Sequence, residues 1–268
     1  MTHSPRAFSH REECMGTFFA FAGRTDLPEE QLDAAIAAAC EELHWADRMF
    51  STYKPESPIA RLARGETSVA AEDPVIDQIW EQCAEWEAAT DGWFSAFTPE
   101  NTFDPSGLVK TWAAQRAIDR LLDAGIRDFT ANAGGDVWIG DAVTDPIDWR
   151  IAIHKPVSIA AADAGTLTVI DLRGTQFRAM ATSGSAERGL HIWDPKAGGK
   201  AAANSMLQVS VVARDLVTAD VWATAAFAEG PDCLARLERV AGIEALVVKR
   251  DGDLAATSGF IDLLAKPE

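Results

Sequence analysis

No stretch of the sequence approaches the roughly 18 consecutive apolar residues that span a bilayer. Residues 1–14, MTHSPRAFSHREEC, contain no apolar run, so neither a signal peptide nor a membrane anchor is expected. The expectation is a cytoplasmic protein with a flexible leader over 1–14 and a single domain over 15–268. Cysteine is scarce: Cys14, Cys40, Cys83 and Cys233 are widely spread and form no CxxC pair. Buried free thiols are expected, with a disulfide or a zinc site as the alternative. Basic residues are also few, 24 against 41 acidic ones, for a net charge of −17. A surface of that sign repels phosphate backbones and argues against nucleic acid as a partner, although a local basic pocket for one phosphate ligand stays open. Missing too are GxGxxG after a strand, GxxxxGK[ST], HExxH, an EF-hand loop and a G-x-S-x-G elbow. Standard dinucleotide, P-loop, zincin and serine-hydrolase readings therefore lose their support.

What is present is an ordinary globular composition, 47% apolar and 24% charged. Residues 15–23 (MGTFFAFAG) predict a buried strand. Asp26 predicts a cap for a helix running to about Met49, with Leu32, Ile36, Cys40 and Leu43 as its apolar stripe. Residues 50–66 read as a loop around Ser57. Asp73 and Pro74 start a second helix that ends before Asp91 and Gly92, and 91–107 reads as a folded loop. A third helix follows Asp104 and Pro105 as far as about Ala124. Residues 129–140 predict a strand broken by Gly134 and Gly135; further strands are expected at 149–153, 166–172, 177–182 and 209–213. Thr218 caps a fourth helix and Pro231 opens a fifth. Residues 243–260 predict a hairpin turning at Asp251 and Gly252. The irregular alternation of helices and strands makes the fold class α+β.

Four segments break local rules in ways a site would require. In FDPSGLVK, Asp104 stands at a helix start and Gly107 permits close backbone approach. Lys110 lies in the first turns, where a cation gains nothing from the helix dipole. That position suits a cation facing a phosphate or a carboxylate; the alternative is a plain cap and a solvated lysine. In NAGGD, the paired glycines suit either a bulge or the approach of a ligand. In residues 181–198, Thr182, Ser183, Ser185, Glu187, Arg188, His191 and Asp194 gather in a Gly-rich stretch, where His191 is a candidate base or a structural histidine. His3 and His10 fall in the leader and His44 on a helix. In TADVWATAAF, Asp220 and Thr224 are four apart and share one helix face, presenting hard oxygen donors suited to Mg²⁺; the alternative is an Asp serving the helix dipole.

Taken together, these segments resemble the ApbE-type flavin transferases, the FAD:protein FMN transferases. The motifs run in order: Met15, Gly16 and Thr17; Phe50, Ser51, Thr52 and Tyr53 with Ser57; Asp104 to Lys110; Asn132 to Asp136 with the GGD; Thr182, Ser183 and Gly184; His191 to Pro195 with Gly198; and Ala219, Asp220, Ala223 and Thr224. The departures are a polar N-terminus where many members carry an export or lipoprotein signal, a compressed segment at 92–97, a short path from TSG to the histidine, and Thr111 where a glycine usually follows the lysine.

The resemblance implies mixed or antiparallel sheets packed with helices. It implies an Mg²⁺-dependent transfer of FMN from FAD to a Thr or Ser hydroxyl of an acceptor protein, with AMP leaving. Under it, Gly107, Asp220, Ala223 and Thr224 match metal positions. Asp104, Lys110 and His191 match flavin- or phosphate-contacting positions, and Met15, Tyr53, Ser95, Ala96 and Phe97 would line the flavin or adenine. His191, Lys110 and Asp220 would carry the catalysis. An Mg²⁺-dependent FAD pyrophosphatase giving FMN and AMP, and a non-catalytic flavin-binding protein, are the alternatives.

Overall fold

A computed structural model describes residues 5–145, 149–156, 165–184, 192–197, 199–200 and 206–266. The chain opens with an antiparallel hairpin, β1 (Arg6–Cys14) and β2 (Thr17–Thr25). It turns on Met15 (φ 53°) and Gly16 (φ 67°), a two-residue connection that requires positive φ at both positions. Residues 6–14 are therefore an edge strand and not a leader. Their polarity misleads because an edge strand leaves much of its surface to water. The strand expected at 15–23 correspondingly begins two residues later, with Phe19 and Phe21 fully buried.

Three helices follow: α1 (Glu29–Phe50), α2 (Pro58–Ala63) and α3 (Pro74–Ala89). The second lies where a loop was expected. Ser57 makes it possible by accepting from the Ala60 N–H at 3.0 Å, with Pro58 in the first turn. After a loop comes α4 (Ser106–Asp123), whose apolar side includes Leu108, Ala114, Ile118 and Leu121. Next are β3 (Asp128–Ala133) and β4 (Asp136–Ile139). The interrupted strand expected at 129–140 is in fact this hairpin, and Gly134 and Gly135 form its two-residue turn, with φ of 65° and 105°.

The remaining elements are β5 (Arg150–His154), β6 (Thr166–Asp171), β7 (Ala179–Gly184), β8 (Trp193–Asp194), β9 (Gly199–Lys200) and β10 (Met206–Ala213). They are followed by α5 (Leu216–Glu229), α6 (Cys233–Leu237), β11 (Glu244–Lys249) and β12 (Leu254–Ala256). The last two form the hairpin expected around Asp251 and Gly252, but the chain leaves it after Ala256 and closes in a 3₁₀ turn, Phe260–Leu263. Asp215, not Thr218, caps α5: its carboxylate accepts from both the N–H and the hydroxyl of Thr218.

Among the described residues, eight strands make one antiparallel sheet in the order β1-β2-β3-β4-β7-β10-β11-β12. Alternate residues serve its two faces. Ala179, Ala181, Val209, Val211, Ala245 and Val247 join the large core with the helices. Met180, Val212, Leu246 and Ile139 join a second core with the β5–β6 hairpin and the C-terminal turn. This explains β10, MLQVSVVA, in which every residue is buried: it is covered on both faces. Helix α5 is likewise apolar nearly all round and lies within the core, with Asp220 embedded in it. The α+β class is as expected.

Candidate active site

One end of the sheet meets the first turns of α4 and α5. Asp136 opens β4, residues 182–184 close β7, and the antiparallel pairing of these strands brings the two places together. Between them is a cavity of about 120 Å³ lined by Ser95, Asp104, Gly107, Lys110, Gly134, Thr182, Ser183, Asp220 and Thr224, with Trp93, Ile192 and Trp193 as apolar walls.

Lys110 organises the polar floor. Its Nζ lies 2.5 Å from Asp136 Oδ2 and 3.4 Å from Asp220 Oδ2. Both carboxylates are almost wholly buried, with side chains 3% and 7% exposed. Of the two readings of Lys110, facing an anion and facing water, the structure shows the first, and the anions are carboxylates. Thr182 N–H donates to Asp136 Oδ1 at 3.1 Å, and Thr111 Oγ donates to Asp220 Oδ2 at 3.1 Å. Burial pushes the Asp136 carboxyl above the ordinary range; the Lys110 ammonium pulls it back, and the Asp220 charge adds to the rise. On the next turn of α5, Thr224 Oγ1 lies 3.2 Å from Ser183 Oγ.

Asp104 also faces the cavity, and its Oδ1 accepts from the Ser106 N–H at 3.0 Å, so it serves the helix start as well. Its own N–H donates to the Ala96 carbonyl at 2.7 Å, tying the 91–107 loop to α4. Gly107 lets that turn pass Phe94: a Cβ there would come within 3.3 Å of the buried Phe94 ring.

Several expected positions lie elsewhere. Tyr53 is 95% exposed and does not line the cavity. Met15 sits in the β1–β2 turn and packs on the core. Ala96 is buried; Phe97 packs edge-on against Trp80 and beside Phe103, drawn there by an aromatic cluster. Ala223 is fully buried in α5 and turns its side chain into the core. His191, with Ser185, Glu187 and Arg188, lies outside the described residues. Asp136 and Ser183 enter the sequence reading only as members of motifs, and Trp93 and Trp193 have no role in it. No local pattern marks Asp136, because an aspartate opening a strand after a Gly-Gly turn is ordinary and its partner Lys110 lies 26 residues away.

A model of the ApbE family matches residues 96–247, more than half of the chain. The chain belongs to the ApbE family. Among relatives, it is 30% identical over 179 residues to an FAD:protein FMN transferase of Vibrio cholerae, covering 63% of this chain and 52% of that one. It is 24% identical over 163 residues to that of Escherichia coli K12, covering 58% and 44%. The match thus spans about half the length of these curated relatives. Two solved ApbE structures share the fold. The ApbE protein of Thermotoga maritima superposes with a TM-score of 0.78 at 20% identity, over 97% of this chain and 100% of that one. The ApbE flavin transferase of Vibrio cholerae does so with a TM-score of 0.77 at 21% identity and the same coverage. The matched ApbE segment contains Asp104, Gly107, Lys110, Asp136, Asp220 and Thr224.

Proposed function

We propose that this chain is an FAD:protein FMN transferase that moves FMN from FAD to a Thr or Ser hydroxyl of an acceptor protein and releases AMP. The observation that carries this reading is Lys110 held between the buried Asp136 and Asp220, at a cavity that Thr224 and Gly107 also line. The curated relatives carry the same activity in their names.

A divalent cation fits the donors present. Asp104 and Asp220 line the cavity against the one ammonium of Lys110, which Asp136 also shares, so negative charge is left over, and the oxygens of Asp220 and Thr224 are hard donors. Asp220 and Thr224 would hold Mg²⁺, with Gly107 contributing through its carbonyl; Ala223 would contribute at most backbone. Bound there, the ion supplies neutralisation of charge on the phosphates.

The chain's own residues do the rest. Thr111 holds the Asp220 carboxylate in position, and Asp136 fixes the Lys110 ammonium at the cavity floor. Lys110 stabilises charge that builds on the pyrophosphate as the acceptor oxygen bonds to the FMN phosphorus and the bond to the AMP oxygen breaks. His191 takes the hydroxyl proton as general base. The indoles of Trp93 and Trp193 offer flat apolar walls for a ring system.

The test incubates the protein with FAD, MgCl₂ and a candidate acceptor, followed by in-gel flavin fluorescence. A fluorescent acceptor band is expected. Free FMN and AMP without labelling would make water the acceptor and the protein a pyrophosphatase; unchanged FAD would make it a binding protein.

A further inference from the structure

Five metal-ligating side chains converge between β1 and α1, outside the cavity described above. His10, Glu12 and Cys14 are spaced two apart along β1, so the pleat sends them to one face. Cys40 and His44 are four apart along α1 and share one stripe. The two rows meet. His10 Nε2 lies 3.3 Å from Cys40 Sγ and 3.2 Å from Glu12 Oε2. His44 Nε2 lies 2.8 Å from Glu12 Oε1, and His44 Nδ1 lies 3.5 Å from Cys14 Sγ. Donor atoms of His10, Glu12 and Cys40 all fall within 4.8 Å of one another, and no other such group of three occurs among the described residues.

We infer that His10 Nε2, the Glu12 carboxylate, Cys40 Sγ and His44 Nε2 form a binding site for one zinc-class divalent cation, with Cys14 behind His44. Donors about 2.0–2.3 Å from a tetrahedral centre sit about 3.3–3.8 Å apart. The His10–Cys40, His10–Glu12 and Glu12–His44 separations are at or slightly below that range; His44 lies outside the mutually close set of His10, Glu12 and Cys40, so its imidazole must swing toward the ion to complete the site. The donor set decides the class: two imidazoles and a thiol suit zinc, cobalt or copper and are poor ligands for Mg²⁺. The site is therefore chemically distinct from the oxygen-lined cavity.

Supporting features surround it. The His10 and His44 side chains are 33% and 41% exposed, which leaves a path from solvent. Binding displaces the Cys40 thiol proton to solvent. Cys14 faces the other nitrogen of His44, the place where a partner fixes the orientation of a ligating ring. The ion would tie the edge strand to the first helix, where β1 has a sheet partner on one side only among the described residues.

The experiment uses the full chain, stripped with a chelator, in excess MgCl₂. Equimolar CoCl₂ should give thiolate-to-cobalt charge-transfer absorption together with tetrahedral visible bands, and ZnCl₂ should abolish both by displacement. Calorimetry should show one Zn²⁺ per chain. Cys40→Ser should abolish the charge-transfer band and weaken Zn²⁺ at least about tenfold. His10→Ala, at a partly exposed position, should weaken it similarly while keeping the band, and it carries the test if Cys40→Ser does not fold. Asp220→Ala should leave both readouts unchanged. No charge-transfer band at one equivalent of cobalt, a band that persists in Cys40→Ser, or Zn²⁺ binding lost with Asp220 but not with Cys40 or His10 would overturn the site and leave a His–Glu–His hydrogen-bond network.

Discussion

The hydroxyl of Thr111 donates to Asp220 Oδ2 across 3.1 Å, joining α4 to α5 within the core. Thr111 is fully buried and directly follows Lys110 in α4. Its hydroxyl gives the Asp220 carboxylate a fixed partner from a second helix.

Thr111→Val keeps shape and burial but removes that donor. Asp220 retains Lys110, so the fold should survive with a loss of about 1–2 kcal/mol. The Mg²⁺ concentration giving half-maximal FMN transfer should rise several-fold, with the saturated rate nearly unchanged. Magnesium titrations of both proteins check this; identical half-maximal concentrations would show that Thr111 is only packing.

Asp220→Ala should abolish Mg²⁺-dependent activity while far-UV circular dichroism stays that of the parent. Removing the carboxylate leaves Lys110 paired to Asp136, so no buried charge is orphaned. Full activity in this variant would remove Asp220 from the metal set.

How much of this was legible follows from what each residue interacts with. Asp220 and Thr224 declare themselves, because a helix is periodic and the pair is polar on an otherwise apolar surface. Lys110 declares itself by standing at the wrong end of a helix dipole. Asp136 and Thr111 are harder to see, because their partners lie 26 and 109 residues away in sequence and no local pattern encodes such pairs. The β1 edge strand reads as a leader because polarity alone cannot distinguish a strand half open to water from a disordered segment. The helix at 58–63 hides among two prolines and a serine, although Ser57-Pro58 is also a helix-start signal.

Glu42 gives a pH test remote from the cavity. This nearly buried carboxylate accepts from Arg116 at 2.8 Å and Arg120 at 2.7 Å, pinning α1 to α4. Desolvation raises its pKa, but the two guanidiniums outweigh it and the net shift is downward. A lowered folded value means stability that is present above the unfolded carboxylate pKa, about 4.3, and lost as pH falls through the folded one. Both arginines are partly exposed, so Glu42→Gln should cost only about 1–2 kcal/mol at pH 7. Urea unfolding at pH 7 and at successively lower pH should show the gap between variant and parent closing in acid; a gap independent of pH would mean packing and not charge.

Lys110 and His191 should separate by what each loss does. Lys110 is held by two carboxylates at the cavity floor; under the proposed function it would meet the pyrophosphate whichever nucleophile attacks. Lys110→Met removes the one cation from a buried pair of carboxylates. That should cost about 3–5 kcal/mol of stability, as for any broken buried ion pair. It should also weaken FAD binding or slow turnover with every acceptor, water included. Under the proposed function His191 is the base for the attacking hydroxyl and would act on the other reactant. Losing a positioned base typically costs about 10²–10⁴-fold in rate. His191→Ala should therefore lose most transfer yet hold FAD within a few-fold of the parent affinity. Calorimetric titration with FAD and MgCl₂, run beside the acceptor assay, reads both quantities on the same preparations. If His191→Ala no longer binds FAD, the histidine is a binding residue and the proton must leave the acceptor by another route.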